Sequence, residues 1–165
     1  MKGLTILDLQ TKIREAKAVL LEARSSRVRP GLDDKCLTAW NGIAIKGLVD
    51  AAEVFNIPEY YDKASKAASF IINNLGTEDG GLYRNFKSGK ASITGFLDDY
   101  AFIIDALIAL YQSDFDEAWL REARRLTDFV LANFSDREGP MLFYTSATGE
   151  SLIARKHEIM DNVIP

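Results

Sequence analysis

The feature that most restricts how this chain can fold is an internal repeat in which each copy predicts a pair of amphipathic helices. Residues 32–75 and 97–134 each contain two stretches whose apolar residues recur at steps of three and four. The peptide Phe70–Leu75, near the end of the first copy, corresponds to Phe129–Phe134 near the end of the second. The period of roughly 60–65 residues is longer than that of the common solenoid repeats.

Each copy contains one helix that is markedly more apolar than the other, and both apolar helices are predicted to open on Leu-Asp-Asp. Leu32–Asp34 precedes the first apolar stripe, and Leu97–Asp99 precedes the second. A single helical hairpin cannot bury both of its apolar faces, whereas hairpins repeated around an axis can, with the more apolar helices inside. The predicted fold class is therefore all-α, a toroid of antiparallel helical hairpins.

Periodicity, capping residues and turn residues together predict five helices. Between the third and the fourth, the alternating run Leu82–Phe86, a turn at Ser88–Lys90 and the return Ala91–Thr94 predict a short β-hairpin insertion. The predicted helices run from about Thr5 to Arg24, from Asp33 or Asp34 to Asn56, from Glu59 to Leu75, from Leu97 to Tyr111, and around Trp119 to Phe134.

We expect residues 1–165 to form a single domain that is one part of a larger ring, with about two and a half helical hairpins. A third unit is predicted to begin at Ile159–Asp161, and the sequence ends at Pro165. Repeat arrays normally end in a polar capping unit, and none is visible in the sequence. The expectation is a barrel fragment with an open apolar edge, which favours self-association.

Composition argues against several classes of protein. Hydrophobic residues make up 47% of the chain, which is enough for a packed core and argues against disorder. The net charge is −4 with acidic and basic residues interspersed, so no nucleic-acid-binding surface is predicted. No apolar run is long enough to cross a membrane. Because Cys36 is the only cysteine, no internal disulfide can form, and the reducing cytoplasm is the expected compartment.

Three motifs resemble signatures of the YyaL-like thioredoxin-domain proteins, whose animal relatives are called spermatogenesis-associated proteins. The first is Arg29–Lys35 (RPGLDDK) followed by Trp40–Gly42 (WNG), and the second is Leu97–Phe102 (LDDYAF). The third is the spacing of Arg155, Glu158 and Asp161. The resemblance extends over the chain from Ile13 onward.

This resemblance implies a thioredoxin-like domain followed by an (α/α)6 barrel similar to six-hairpin glycosidases and N-acylglucosamine 2-epimerases. The chain would then be the middle of the barrel. Its implied partners are the rest of the barrel and the thioredoxin-like domain of a full-length relative. The chain contains no Cys-x-x-Cys motif, so no thiol redox activity of its own is expected.

Acidic residues at the predicted starts of inner helices are the candidate catalytic groups. If the repeats wind around one axis, these helix starts converge on one rim, where a cleft is expected. Glycoside hydrolysis needs two carboxyl groups roughly 5–9.5 Å apart. An aspartate at a helix start also caps exposed amides, so capping remains the alternative. The candidates are Asp33, Asp34, Asp98, Asp99 and Asp161.

Aromatic, amide and charged residues of the same motifs are the candidate substrate-binding groups. Trp40 and Tyr100 could stack on sugar rings, although both fall on apolar stripes and core packing is the alternative. Asn41 could bind hydroxyl groups, and Gly42 beside it suggests a close helix contact or the approach of a ligand. The remaining candidates are Arg29 and Arg155, which could pair with the aspartates or hold an anion, and Glu158.

Two functional hypotheses follow. The first is a carbohydrate-binding or carbohydrate-active barrel, a hydrolase or epimerase if it is an enzyme, with this segment inactive alone because half the cavity wall is missing. His157 is the only histidine, so the chain cannot supply a pair of histidines for epimerase proton transfer. The sequence contains no metal-ligand spacing and no cofactor-binding motif, so we expect neither a metal ion nor a cofactor. The second hypothesis is a non-catalytic helical scaffold or protein-interaction domain attached to a thioredoxin-like domain.

Overall fold

The computed structural model describes residues 5–149 and 153–158. Backbone contacts group the chain into two compact units, residues 1–33 and 34–165. The expectation that residues 1–165 form one domain stays a prediction.

The first unit contains one helix, α1, which spans Ile6–Ser25. Thr5 and Asp8 form a capping box in which the Thr5 hydroxyl accepts a hydrogen bond from the Asp8 amide at 3.1 Å. The helix matches the predicted span to within one residue at each end. None of its side chains is buried, so its stripe of apolar residues is exposed in this unit.

The second unit consists of two helical hairpins and a small antiparallel sheet. In each hairpin both helices are 18 residues long, and a residue with left-handed backbone, Asn56 or Phe115, ends the first helix. The sheet has the order β1-β2-β3. The elements are β1 Cys36–Leu37, α2 Thr38–Phe55, α3 Pro58–Leu75, β2 Tyr83–Lys87, β3 Lys90–Thr94, α4 Leu97–Asp114 and α5 Glu117–Phe134.

The repeat is confirmed, and so is the predicted correspondence of Phe70–Leu75 with Phe129–Phe134, but the predicted correspondence of the two Leu-Asp-Asp motifs is wrong. Helices α2 and α4 begin at residues 38 and 97, and α3 and α5 begin at residues 58 and 117, so the two hairpins are offset by 59 positions. This offset aligns Thr38 with Leu97 and leaves Leu32–Asp34 without a counterpart in Leu97–Asp99. The predicted start of α2 at Asp33 or Asp34 is wrong, because Cys36 and Leu37 are extended and pair with β2.

The predicted β-hairpin is confirmed as β2 and β3, while the short strand β1 was not predicted. Leu37 pairs with Asn85 of β2. One residue later, the Thr38 hydroxyl donates a hydrogen bond to the Tyr83 carbonyl at 2.6 Å. The sheet is therefore fastened to the first turn of α2, and β3 leads directly into α4.

The core lies between the layer of α2 and α4 and the layer of α3 and α5. Its largest fully buried side chains include Ile45, Ile71, Leu107 and Leu126, one from each of the four helices. At Gly42 an added Cβ would lie 2.7 Å from the carbonyl carbon of Phe102, so α2 and α4 meet backbone to backbone. The close helix contact suggested by this glycine is present.

None of the helices in the described ranges combines the length and the hydropathy needed to span a bilayer.

Candidate functional site

Asp99, in the first turn of α4, joins the N-terminal ends of the two inner helices. Its side chain is fully buried, and its Oδ1 accepts a hydrogen bond from the Ala39 amide of α2 at 2.9 Å. Its Oδ2 accepts from the Phe96 amide at 2.9 Å and from the Arg84 guanidinium at 3.0 Å. This carboxylate therefore caps two helices and binds β2 at the same time.

Arg84 of β2 bridges both aspartates of the Leu-Asp-Asp motif. Its Nη1 lies 3.2 Å from Asp98 Oδ1 and 3.0 Å from Asp99 Oδ2, and its guanidinium stacks on the Phe96 ring at 4.7 Å. Whereas Asp99 is sealed, the side chain of Asp98 keeps 16% of its surface exposed and that of Arg84 keeps 23%. Asp98 is thus the member of the pair that a ligand can reach.

Burial sets the protonation behaviour of this cluster. It raises the pKa of Asp99 to about 6, an effect partly opposed by the Phe96 amide and by the charge of Arg84. Burial also lowers the pKa of Arg84, but the charges of Asp99 and Asp98 outweigh it, so the Arg84 pKa is raised overall. By formal charge, two aspartates face one arginine, so the cluster carries a net negative charge when both acids are ionised.

Tyr144, on the loop after α5, packs against the same helix end. Its ring centroid lies 5.1 Å from that of Phe96, and its carbonyl accepts a hydrogen bond from the Leu97 amide at 2.9 Å. Burial raises the pKa of the Tyr144 phenol, and the charge of Asp98 raises it further. The return loop of the second hairpin therefore brings a phenol close to Asp98.

Trp40 and Asn41 occupy the first turn of α2 and differ in their surroundings. Trp40 is 51% exposed, so it does not pack in the core, although it lies on the apolar stripe of the helix. Asn41 is partly buried, and its Nδ2 donates hydrogen bonds to the Leu37 carbonyl at 2.7 Å and to Cys36 Sγ at 3.2 Å. Of the two, Trp40 has the surface that a ligand could contact.

Tyr100 packs in the core and not at a surface where it could stack on a sugar, so the core-packing alternative is correct for this residue. It is fully buried and stacks on Phe129, with the ring centroids 5.4 Å apart and the planes 13° apart. Its hydroxyl accepts a hydrogen bond from the Leu82 amide at 2.9 Å. Burial is the main cause that raises its pKa to about 12.

The remaining candidates of the first motif lie away from helix starts. Arg29 and Asp33 belong to the first unit and are exposed. Asp34 is also exposed, and its Oδ1 lies 2.7 Å from Lys87 Nζ at the end of β2. The hydrogen bond with Lys87 is the main cause that lowers the pKa of Asp34. Asp34 therefore marks the start of the sheet and not the start of α2.

The third motif is only partly described. Arg155 is half-buried and donates to backbone carbonyls: Nε and Nη2 to Thr145, at 2.9 and 2.6 Å, and Nη2 also to Asn133 at 2.9 Å. Glu158 is exposed, and Asp161 lies outside the described residues. These hydrogen bonds connect Arg155 to the loop after α5.

Arg84 and Tyr144 were not among the sequence candidates. A signal for Arg84 did exist, because an arginine inside an alternating, half-buried strand needs an acidic partner. No comparable signal marked Tyr144, whose loop is placed by the packing of α5. Among residues 5–149 and 153–158, no group of three or more His, Cys, Asp or Glu side chains is placed to hold a metal ion.

Comparison with solved structures defines the fold. The chain aligns with the GH76 α-mannanase of Bacteroides thetaiotaomicron at a TM-score of 0.63 and 21% identity, over 79% of this chain and 36% of the mannanase. With the cellobiose 2-epimerase of Bacillus thermoamylovorans the TM-score is 0.66 and the identity 16%, over 74% of this chain and 35% of the epimerase. The fold is that of part of a six-hairpin, glycosidase-like (α/α)6 toroid, which confirms the predicted fold class.

Sequence comparison identifies the relatives. An uncharacterised protein of Caenorhabditis elegans is 34% identical over 170 residues, which cover 98% of this chain and 23% of the nematode protein. Human spermatogenesis-associated protein 20 is 30% identical over 173 residues, which cover 99% of this chain and 22% of the human protein. Over almost its whole length the chain is similar to these proteins, and it spans less than a quarter of their length. No family model matches it.

Proposed function

We propose that this chain is the part of a carbohydrate-binding (α/α)6 barrel that supplies Asp98, Arg84, Trp40 and Tyr144 to the rim of the ligand site. The observation that carries the proposal is that two adjacent aspartates differ in burial and in the number of hydrogen bonds that they accept. Asp99 is buried and bound by three donors, whereas Asp98 is held by Arg84 and remains partly exposed. Asp99 thus stabilises the two helix ends, and part of the Asp98 side chain remains accessible to a ligand.

The charge of the cluster favours a neutral saccharide as the ligand. With two carboxylates against one guanidinium, an anionic sugar would be repelled at close range. An exposed indole such as Trp40 offers the flat apolar face that stacks on sugar rings. The mannanase and the cellobiose epimerase that share the fold are named for neutral saccharides, and a further neighbour, at a TM-score of 0.52, is named for heparin, so this choice rests on the charge of the cluster.

If the complete barrel is an enzyme, Asp98 would be one of its two acid–base groups. Asp99 is a poor second group because its two oxygens are occupied by Ala39, Phe96 and Arg84. The second group, which hydrolysis or epimerisation would require, would then come from a part of the barrel that this chain does not contain. We therefore expect saccharide binding but no turnover by the chain alone.

Binding is tested by NMR, following the two tryptophan indole signals while mannose and cellobiose oligosaccharides are added. Trp119 serves as an internal reference, because its indole Nε1 donates to Asp114 at 3.2 Å, far along the helices from the rim. The proposal expects the Trp40 signal to move and the Trp119 signal to stay. Asp98→Asn should weaken binding, while Asp105→Asn, which changes an exposed acid paired with Lys46 at 3.8 Å, should not. A Trp40 signal unmoved at millimolar saccharide would overturn the proposal.

A second candidate function is an interaction domain that self-associates or docks a neighbouring thioredoxin-like domain. It is favoured by the apolar end of α2, where Val54 is 77% exposed and Phe55 is 66% exposed. Sedimentation of the chain at rising concentration tests self-association, which the double variant Val54→Lys, Phe55→Glu should abolish. A chain that stays monomeric up to high concentration contradicts self-association.

The cytoplasm remains the proposed compartment, on the grounds of the single Cys36.

A further inference from the structure

We infer that Arg155 is a positioning residue, which holds Tyr144 against Asp98 by clamping the loop on which Tyr144 lies. The inference rests on the proposed function, because it assigns to that same site a residue that does not itself contact the ligand. The sequence predicted Arg155 as a substrate-binding group. In the structure its donors are directed at backbone carbonyls on the two sides of the loop.

The clamp acts on the residue that follows Tyr144. Arg155 donates from Nε and Nη2 to the Thr145 carbonyl, at 2.9 and 2.6 Å, and from Nη2 to the Asn133 carbonyl at 2.9 Å. Asn133 lies in the last turn of α5, so one guanidinium fastens the loop to the helix end. The loop cannot move away from α5 without breaking charge-assisted hydrogen bonds, which are stronger than neutral ones.

Backbone contacts fix Tyr144 from the other sides. Its amide donates to the Lys156 carbonyl at 2.8 Å, and its own carbonyl accepts from the Leu97 amide at 2.9 Å. Phe143, which precedes it, donates to the Phe134 carbonyl at 2.7 Å. Lys156 therefore binds the backbone of Tyr144 itself and Arg155 that of the next residue, and the Tyr144 ring is directed to Phe96 and Asp98.

An arginine is needed at this position for geometric reasons. Its planar fork reaches two carbonyl oxygens at once, and the same plane lies over the Phe143 ring at 4.3 Å. A lysine ammonium carries a similar charge but cannot stack and donate in this arrangement. Arg155→Lys therefore keeps the charge and removes the clamp, which separates positioning from electrostatics.

The experiment is an NMR comparison of the wild-type chain with Arg155→Ala and Arg155→Lys, using chain labelled at its tyrosine rings. The Tyr144 signal is assigned from its loss in Tyr144→Phe. At neutral pH we expect both Arg155 variants to move this signal toward its position in an unstructured peptide, because the Tyr144 ring loses its contact with Phe96. On titration, the pKa of Tyr144 should fall toward its ordinary value of about 10. Arg121→Ala, which removes an exposed arginine of α5, is the matched control and should change neither reading.

The outcomes distinguish the two proposals. If the Tyr144 signal and its titration are unchanged in both folded Arg155 variants, the positioning role is wrong. If both change but the wild-type chain binds no saccharide, the positioning role stands and the proposed function fails. If the chain does bind saccharide, Arg155→Lys should weaken binding about five- to tenfold, the equivalent of one hydrogen bond. Should Arg155→Ala fail to fold, Arg155→Lys carries the test.

Discussion

Asp99 of α4 accepts a hydrogen bond from the backbone amide of Ala39 in α2 at 2.9 Å, across 60 residues of sequence. Both groups lie in the first turn of an inner helix, where amides have no partner within their own helix. A buried carboxylate that serves two helix ends fixes their relative height. Because Asp99 is occupied in this way, it is the structural aspartate of the Leu-Asp-Asp motif, and its partly exposed neighbour Asp98 is the one that a ligand can contact.

Removal of the Asp99 carboxylate should therefore destabilise the fold far more than removal of its neighbour. Asp99→Ala leaves the Ala39 and Phe96 amides without their acceptor and Arg84 with Asp98 alone. At about 1–3 kcal/mol for each unsatisfied amide, we expect the free energy of unfolding to fall by about 2–6 kcal/mol. Asp98→Ala breaks a partly exposed pair and should cost about 1 kcal/mol. Urea denaturation of both variants measures the difference, and equal losses would contradict the structural role of Asp99.

The same residue predicts a pH dependence of stability. The pKa of Asp99 is about 6 in the folded chain, against an ordinary value of 3.8. Because the folded state binds this proton more tightly, stability should fall as the pH rises from about 4 to about 6 and then level off, by up to about 3 kcal/mol. Denaturation curves at several pH values measure this slope in the wild type and in Asp99→Asn. A slope that survives in Asp99→Asn would assign it to another group.

Two glycines of α2 should respond oppositely to alanine. At Gly42 the new Cβ would lie 2.7 Å from the backbone of Phe102, so Gly42→Ala must separate α2 from α4 and should cost about 1–3 kcal/mol. At Gly47 no heavy atom lies within 4 Å, and Gly47→Ala should stabilise the helix by about 1 kcal/mol. Thermal unfolding compares the pair. A stabilising Gly42→Ala would refute the close contact between the helices.

Trp40 and Tyr100 should separate binding from stability. Trp40 is 51% exposed, so Trp40→Ala should change the free energy of unfolding by less than about 1 kcal/mol while abolishing saccharide binding. Tyr100→Phe removes the acceptor of the Leu82 amide and should cost about 1–3 kcal/mol without direct effect on the ligand. Urea denaturation and saccharide titration of both variants check the assignment. The opposite pattern would return Tyr100 to the list of ligand-binding residues.

The arrangement of helices was predictable because it follows from local properties. The step of three and four in the apolar residues and the breaks at Asn56 and Gly76 act within a few residues. The β-hairpin was predictable for the same reason, since alternation and a turn containing Gly89 specify it locally. These features, together with the repeat, were sufficient to place the chain in a toroid of helical hairpins.

The site depended on contacts between distant parts of the chain. Helix α2 begins at Thr38 and not at Asp34 because Cys36 and Leu37 pair with a strand about 50 residues away, which no local propensity encodes. Trp40 and Tyr100 lie on similar apolar stripes, yet one is exposed and the other buried, because burial depends on which neighbours cover each face. The sequence by itself determined the helices, their pairing and the toroid class. Only the tertiary structure decided that Asp99 is a clamp and that Arg84 and Tyr144 accompany Asp98, since those roles arise from packing between elements.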